Sequence, residues 1–425
     1  MKIFLTIYMV LLSVNISATD LLNEIINNHP DVIEARNNLE LQEIEKGEYV
    51  ADNGLQVNFS TEGKTEFDQK NVPVEHVDAK GSYYAGLVNL NSNIYDFGAY
   101  EFGLDSQDSK VKIARLELTQ KFEETLFKLL QKVSRIQSLQ IVNDNLSQDL
   151  AKANKSLIDI KKRFSGGLGT INEVRDTQLS IVNLEVELSK NLEDFNAIFD
   201  STSKEFQIDH KEIQAIYKFT KLTADQFSNH DLGERLSLTE TVKLSPLQNE
   251  IYLTQKESLR AEMNSLDALQ KPKLDLNLTG KIYGSDSYES FGEVKMTFPL
   301  YDSGKHLYQS KKIRKQVNDV SNKIEASVIQ KRTNLLDLKK RYEELVKEQS
   351  INQTKIPLLE EKLKDVQTKL KLSGGSSLSE ELNTYLQLAK TKLDNHLMLY
   401  DLMVIKLEYL YLEQELIKRM DLRVN

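Results

Sequence analysis

The 425-residue chain contains no cysteine, which excludes disulfides, thiolate metal sites, a cysteine nucleophile and an acylated N-terminal cysteine. Tryptophan is also absent, and the six histidines are scattered. None stands at metal-ligand spacing from another, so no histidine metal site is expected. Only 6 prolines and 17 glycines occur, which favours long uninterrupted elements over a loop-rich enzyme. Cations are in deficit, with 55 Lys and Arg against 64 Asp and Glu, for a formal net charge of −9 and a pI near 5.5. That balance argues against nucleic acid as the main partner. Catalytic signatures are missing: there is no phosphate-binding glycine loop, no serine nucleophile elbow and no HExxH pair. Glu343-Glu344 and Glu360-Glu361 are adjacent carboxylates, but sequence neighbours point in different directions on a helix and make poor acid/base dyads. The expectation is a protein that is not an enzyme and needs no cofactor or metal.

What is present begins with an apolar run from Ile3 to Val14, preceded by Met1-Lys2 and followed by the small residues Ser17-Ala18. The run is too short to span a bilayer stably, so residues 1–18 read as a cleaved secretory signal rather than an anchor. No later segment has 18 consecutive apolar residues. An exported chain of this kind either stays in solution or enters an outer membrane as β-strands, which hydropathy detects poorly.

An internal repeat organises the rest. Asn93-Ile94-Tyr95-Asp96-Phe97-Gly98 recurs as Pro299-Leu300-Tyr301-Asp302-Ser303-Gly304 at an offset of 206. Gly166-Gly167 recurs as Gly374-Gly375 at an offset of 208, and His29-Pro30-Asp31 resembles Ser245-Pro246-Leu247 at 216. The first copy covers 19–200 and the second 237–420, with 201–236 between them and a tail at 421–425. Each copy reads as a helix, two strands, a very long helix, a Gly-Gly turn and a second long helix. The first helices are expected over Leu21–Ala51 and Leu238–Leu269.

Leu146, Leu150, Ala153, Leu157, Ile160 and Phe164 are spaced alternately by four and three, as are Leu393, Leu397, Tyr400, Val404, Leu407 and Tyr411. This keeps one apolar seam facing a partner helix. No proline occurs from Gly98 to Phe164, a stretch that would run roughly 100 Å as one helix. Pro357 should interrupt and kink the matching helix. Strands are expected over 55–67, 82–95, 273–283 and 291–301, where apolar and polar residues alternate. Gly63–Gly81 and Gly284–Gly292 read as the loops between paired strands. Each strand is long enough to cross a bilayer when tilted. Four strands cannot close a barrel, and lipid does not tolerate an open edge. The strands therefore form a small soluble sheet, or several chains pool them; three chains would supply twelve.

With these features in place, the chain resembles the TolC-like outer-membrane efflux family over its whole mature length. Arg163-Phe164-Ser165-Gly166-Gly167-Leu168 followed by Ile171-Asn172-Glu173-Val174 is similar to the family's helix–turn–helix tip. Leu372-Ser373-Gly374-Gly375 followed by Glu381-Leu382 resembles a degenerate second tip, and Phe298-Pro299-Leu300-Tyr301-Asp302-Ser303-Gly304 resembles the strand-to-helix motif. Asn28-His29-Pro30 stands at the family's Asn-Pro position.

The resemblance implies a mainly helical fold with some β-structure. Long antiparallel coiled-coil helices would form a periplasmic α-barrel, and a homotrimer would pool its strands into one twelve-stranded β-barrel in outer-membrane lipid. It implies a passive export duct whose periplasmic tips, near 165–171 and 372–379, dock on a periplasmic adaptor (membrane fusion) protein. That adaptor would be coupled to an inner-membrane pump of the ABC or RND type, in drug efflux or type I protein secretion. Arg163, Phe164, Gly166, Gly167, Leu168, Gly374 and Gly375 would be adaptor contacts. Glu381, Glu173 and Thr384 would stand at the pore constriction, Thr384 where the family carries a second acid. Tyr95, Asp96, Gly98, Pro299, Tyr301, Asp302 and Gly304 would join strands to helices. Ser377 and Leu372 replace the Arg and Tyr with which the family holds its closed state, so that lock is not carried over. The rival reading is a secreted coiled-coil scaffold or adhesin.

Overall fold

The computed structural model describes residues 18–64, 83–227, 229–237, 242–283, 287–372 and 378–424. The expected signal up to residue 17 and Gly374, Gly375 and Ser377 lie outside the described residues, as do most of the two expected strand-connecting loops. In order, the elements are α1 (18–27), α2 (Pro30–Asp52), β1 (Gln56–Lys64), β2 (Tyr83–Tyr95), α3 (Ala99–Ser165), α4 (Ile171–Phe206), α5 (His210–Asp225) and α6 (Asn229–Ser237). Then come α7 (Pro246–Ala268), β3 (Lys273–Tyr283), β4 (Ser287–Thr297), α8 (Lys305–Leu372), α9 (Leu378–Leu412) and α10 (Leu416–Arg419).

The chain divides into two compact units, and each draws on both halves of the sequence. One comprises Ala35–Leu118 and Gln248–Ala326; the other comprises residues up to Glu34, Thr119–Leu247 and Ser327 onward. The halves defined by the sequence landmarks are therefore not spatial domains.

The first unit holds the sheet. Its order is β1-β2-β3-β4, antiparallel throughout. Strand β4 was expected over 291–301 but runs Ser287–Thr297, where Thr297 pairs with Lys273 at the start of β3. Residues 287–292, expected as loop, are paired, and Phe298, Pro299, Leu300 and Tyr301 leave the sheet. Pro299 has no N–H to give a ladder, which suits a strand exit better than a strand interior.

Both joints from strand to long helix use one turn. The Ala99 N–H donates to Asp96 O at 3.2 Å and the Lys305 N–H to Asp302 O at 3.1 Å. The two central residues have positive φ in each turn: Phe97 and Gly98 (57° and 85°), Ser303 and Gly304 (55° and 79°). These are the features of a type I′ turn, which explains glycine in the second position. The aspartate then caps the helix. Asp96 accepts from the Gly98 and Tyr100 N–H groups at 3.1 and 2.8 Å, and Asp302 from those of Gly304 and His306 at 2.9 and 2.8 Å. Backbone hydrogen bonds hold the Asp302 carboxyl below the usual carboxylate range, as a helix N-terminus should.

The second unit is helical. The expected first helix is split: 18–27 and α2 are separated at Asn28-His29. Pro30 is the first residue of α2, a position where its missing N–H costs nothing. Likewise α7 begins at Pro246, eight residues later than expected. The predicted interruption at Pro357 is not seen, since α8 remains helical on both sides of it. In the segment between the halves, Asp209 and Glu212 form a capping box that starts α5. Phe227, Leu232 and Leu236 then pack with Leu335, Leu338, Ile405 and Tyr409 into a buried cluster.

The C-terminal tail is not a loose end. Leu416, Met420 and Leu422 are buried, and the Arg423 N–H donates to Asn23 Oδ1 at 3.0 Å. Glu123 of α3 is buried and accepts the Leu416 N–H at 2.9 Å, so it caps α10 from another helix. Burial pushes its carboxyl up to about 7, against the lowering effect of the Leu416 and Ile417 amides.

Candidate functional site

Two surfaces of the fold carry the chemistry that the sequence pointed to: the faces of the sheet and the tip of the first helical hairpin. Sheet register sorts side chains by face, because alternate residues of a strand point to opposite sides. Val57 stands opposite Leu90 and Phe59 opposite Val88. Leu90 stands opposite Leu278 and Gly86 opposite Ile282. Leu276 stands opposite Val294 and Leu274 opposite Met296. One face is thus an apolar surface across all four strands, and much of it lies open. Val57, Phe59, Ile282, Val294 and Met296 are all more than half exposed. Tyr84 and Tyr288, near the ends of β2 and β4 away from the long helices, are 86% and 85% exposed on this same face.

The opposite face is mostly polar, with Asn58 opposite Asn89 and Asn91 opposite Asn277. Thr279 Oγ1 donates to Asn89 Oδ1 at 3.0 Å, Lys273 pairs with Asp275 at 3.1 Å, and Lys281 stands 3.8 Å from Glu62. Among the described residues, strands β1 and β4 are both edges, each with a strand partner on one side only, which leaves a row of backbone groups open to pairing. The sheet thus has an open apolar face, a polar face and, among the described residues, two unpaired edges, an arrangement that proteins ordinarily cover or pair. Among the described residues no helix is long and apolar enough to cross a membrane.

The hairpin tip is built by the turn chemistry of its glycines. The Leu168 N–H donates to Arg163 O at 2.9 Å and the Gly167 N–H to Phe164 O at 3.0 Å, with Gly167 at φ +73°. That pair of bonds is a Schellman motif, which needs a left-handed residue where glycine is cheapest. Thr170 then caps α4 by accepting the Glu173 N–H at 3.2 Å. Phe164, Leu168 and Ile171 are exposed around the turn, Leu168 at 74%. Arg163, Phe164, Gly166, Gly167 and Leu168 are therefore brought together, and Glu173 lies beside them on the first turn of α4.

The residues expected at the constriction fare differently. Glu381 is partly buried, and Gln367 Nε2 of α8 donates to its carboxylate at 2.9 Å. Thr384 is 3% exposed. Its side chain is covered by helix packing within this chain. Its neighbour Leu382 packs with Ala153 and Ile181, with Leu150, Leu157, Leu184 and Leu386 around them.

Sequence reasoning missed a polar group beside this cluster. Lys152 Nζ lies 3.0 Å from the centroid of the Tyr385 ring, and Tyr385 is hydrogen-bonded to the Asp149 carboxylate. Burial pushes Asp149 up and Lys152 down, while Glu381 and Asp149 pull Lys152 back toward the charged form. The available signal was Asp149 and Lys152 interleaved with the seam residues Leu146, Leu150 and Ala153, which places them near an apolar interface. Among the described residues no group of three or more His, Asp and Glu could hold a metal ion.

No family model matches the sequence, and no curated protein matches it. Solved structures do. The outer membrane protein VceC of Vibrio cholerae superposes with a TM-score of 0.73 at 12% identity, over 93% of this chain and 96% of that one. A membrane protein from Pseudomonas aeruginosa gives 0.74 at 12% identity, over 93% and 90%. The Campylobacter jejuni CmeC outer membrane channel gives 0.69 at 10% identity, over 93% and 85%. With an architecture of paired long helical hairpins and a four-stranded antiparallel sheet, this chain has the TolC-like outer-membrane channel fold.

Proposed function

We propose that the protein is a passive export duct of the cell outer membrane that extends into the periplasm. The observation that carries this reading is the sheet, with its open apolar face, its polar face and its two free edges. Three copies would join edges to close twelve strands, with the apolar face toward lipid and the asparagine-rich face lining water. The two halves of the chain would be structural repeats, each giving two strands and one helical hairpin. Likeness in fold to the CmeC outer membrane channel supports the reading.

The long hairpins would form the periplasmic part of the conduit. The tip around Gly166-Gly167, together with the second tip at Gly374-Gly375, would dock on a periplasmic adaptor coupled to an inner-membrane ABC or RND pump. Exposed Phe164, Leu168 and Ile171 offer an apolar contact there. The cargo would be small molecules in efflux or a protein in type I secretion. Glu381 and Glu173, tripled by symmetry, would place acid near the pore mouth and favour cations over anions. Energy would come from the pump.

The test is extraction of the membrane fraction with detergent, followed by mass measurement with and without heating. A complex of three chains that collapses to one on heating is expected. A salt-soluble monomer or dimer would overturn the duct and leave a secreted coiled-coil scaffold.

A further inference from the structure

The start of α8 carries a surface that the duct does not require. Lys305, Lys311, Lys312, Arg314 and Lys315 are five cations within its first eleven residues, and no acid appears before Asp319. This runs against the local electrostatics, because the first turns of a helix favour anions. The equivalent start of α3 behaves ordinarily, with Glu101, Asp105 and Asp108 against Lys110 and Lys112. There Asp108 pairs with Lys46 and Lys112 with Glu250. The five cations of α8 are all exposed, and none has an ion-pair partner among the described residues.

Their placement is sided. Ser310, Ile313 and Val320 are buried and share one stripe of the helix. The outward side carries Leu307, Tyr308, Lys311, Lys312, Arg314 and Lys315. Directly before it come Leu300 and Tyr301, 94% and 87% exposed, and Tyr308 is 70% exposed. Lys311 Nζ reaches 6.0 Å from the Tyr308 ring. An open aromatic and aliphatic collar thus continues from the end of the apolar sheet face into an unpaired basic helix surface. Aromatic rings concentrate at membrane interfaces, and lysine and arginine beside them attract anionic headgroups. Lys311 to Lys315 lie roughly 9–15 Å along α8 from its first residue, a reach comparable with the Debye length of about 10 Å at 0.1 M salt.

We propose that this collar and basic face bind the phosphate headgroups of anionic phospholipids, in the leaflet at the helix end of the barrel. The proposal rests on the outer-membrane reading. It predicts that the protein selects anionic over zwitterionic lipid around the α8 start and not around the α3 start. Tripled by symmetry, the face would give the duct a ring of preferred lipids and fix its depth in the membrane.

The chain contains no tryptophan, so Tyr308→Trp gives a single fluorescent reporter at the site. The full-length protein carrying it is reconstituted in bilayers of phosphatidylcholine with brominated phosphatidylglycerol, or in bilayers with the bromine on phosphatidylcholine. Quenching then reads the relative affinity for each lipid. Stronger quenching by the anionic lipid is expected, with the preference largely lost between 0.1 and about 1 M salt as the Debye length falls to about 3 Å. Adding Lys311→Gln, Lys312→Gln, Arg314→Gln and Lys315→Gln should reduce the preference roughly tenfold or more. Neutralising Lys347, Lys355, Lys362 and Lys364, exposed further along α8, should leave it unchanged. Equal quenching by both lipids in wild-type protein overturns the proposal, as does an equal loss in the two quadruple variants, while the duct stands. Failure to enter any bilayer overturns the duct reading itself. Preference for an acidic protein over anionic lipid at the same face also overturns the proposal.

Discussion

The two joints where strands become long helices are alike in backbone and unlike in side chains. Each is a type I′ turn with an aspartate that bonds two helix-start amides. Around that common frame, α3 is packed and α8 is exposed. Tyr49 stacks on Tyr100 with ring centroids 5.8 Å apart and its hydroxyl donates to Tyr100 O at 3.3 Å. Ser106 and Ser258 hydroxyls meet at 3.1 Å. At α8 the corresponding region has Tyr308 open to solvent, and a polar contact from His306 to Asp267 at 2.9 Å. Backbone geometry there is set by local turn chemistry, which tolerates any outer surface. What the surface does is decided by the side chains that follow.

A buried relative of these caps sharpens the comparison most. Glu123 accepts helix-start amides as Asp302 does, yet its carboxyl is raised to about 7 whereas that of Asp302 is lowered. Desolvation outweighs hydrogen bonding at Glu123 because it is 2% exposed. Its folded-state value lies above the usual 4.5, so the folded chain holds the proton more tightly than the unfolded chain. The stabilisation from this group is complete below about 4.5 and is lost as pH rises through about 7. A shift of that size corresponds to about 3 kcal/mol. Glu123→Gln should flatten the loss of unfolding stability between pH 5 and pH 8. Unchanged pH dependence in thermal melts of the variant would refute the assignment.

The next contrast concerns packing. A Cβ on Gly103 would come within 1.9 Å of the Tyr49 hydroxyl and 2.6 Å of its ring, and stacking on Tyr100 limits how far that ring can yield. Gly103→Ala should destabilise by about 1–3 kcal/mol despite better helix propensity. Gln309 stands at the equivalent place in α8, and Gln309→Ala should stay within about 0.5 kcal/mol. Chemical denaturation of the two variants measures the difference, and equal effects would erase the distinction between the joints.

The smallest effect separates the turns themselves. Gly98 and Gly304 both hold positive φ, so an alanine at either should cost about 1–2 kcal/mol. An added Cβ meets the Phe102 ring at 3.2 Å at Gly98 but only Tyr308 at 3.8 Å at Gly304. Gly98→Ala should therefore be worse than Gly304→Ala by a few tenths of a kcal/mol, read as a difference in denaturation midpoint. The reverse order would show that contacts at these turns do not matter.

Much of the architecture was legible along the chain. The three-four spacing of Leu146, Leu150, Ala153 and Leu157 marks long helices, and the alternation at Leu274, Leu276 and Leu278 marks a strand, because both periods follow from backbone geometry. The Tyr-Asp-x-Gly joints were readable because glycine and aspartate each have one local job there. Boundaries set by pairing were not readable: β4 ends at Thr297 because its partner begins at Lys273, a fact carried by another segment. The site was legible in the same uneven way. Gly166 and Gly167 mark a turn by their own conformational freedom. Thr384 was placed at a pore by resemblance, whereas its burial depends on residues that α9 meets only after folding.

The sequence by itself determined helix, strand and turn wherever the cause lay within a few residues: periodicity, capping aspartates and glycines at positive φ. Only the tertiary structure decided that Glu123 caps a helix 293 residues away, that Tyr385 and Lys152 meet, and that compact units cross the two halves. Those outcomes depend on burial and on contacts between distant segments, and neither quantity exists until the chain has folded.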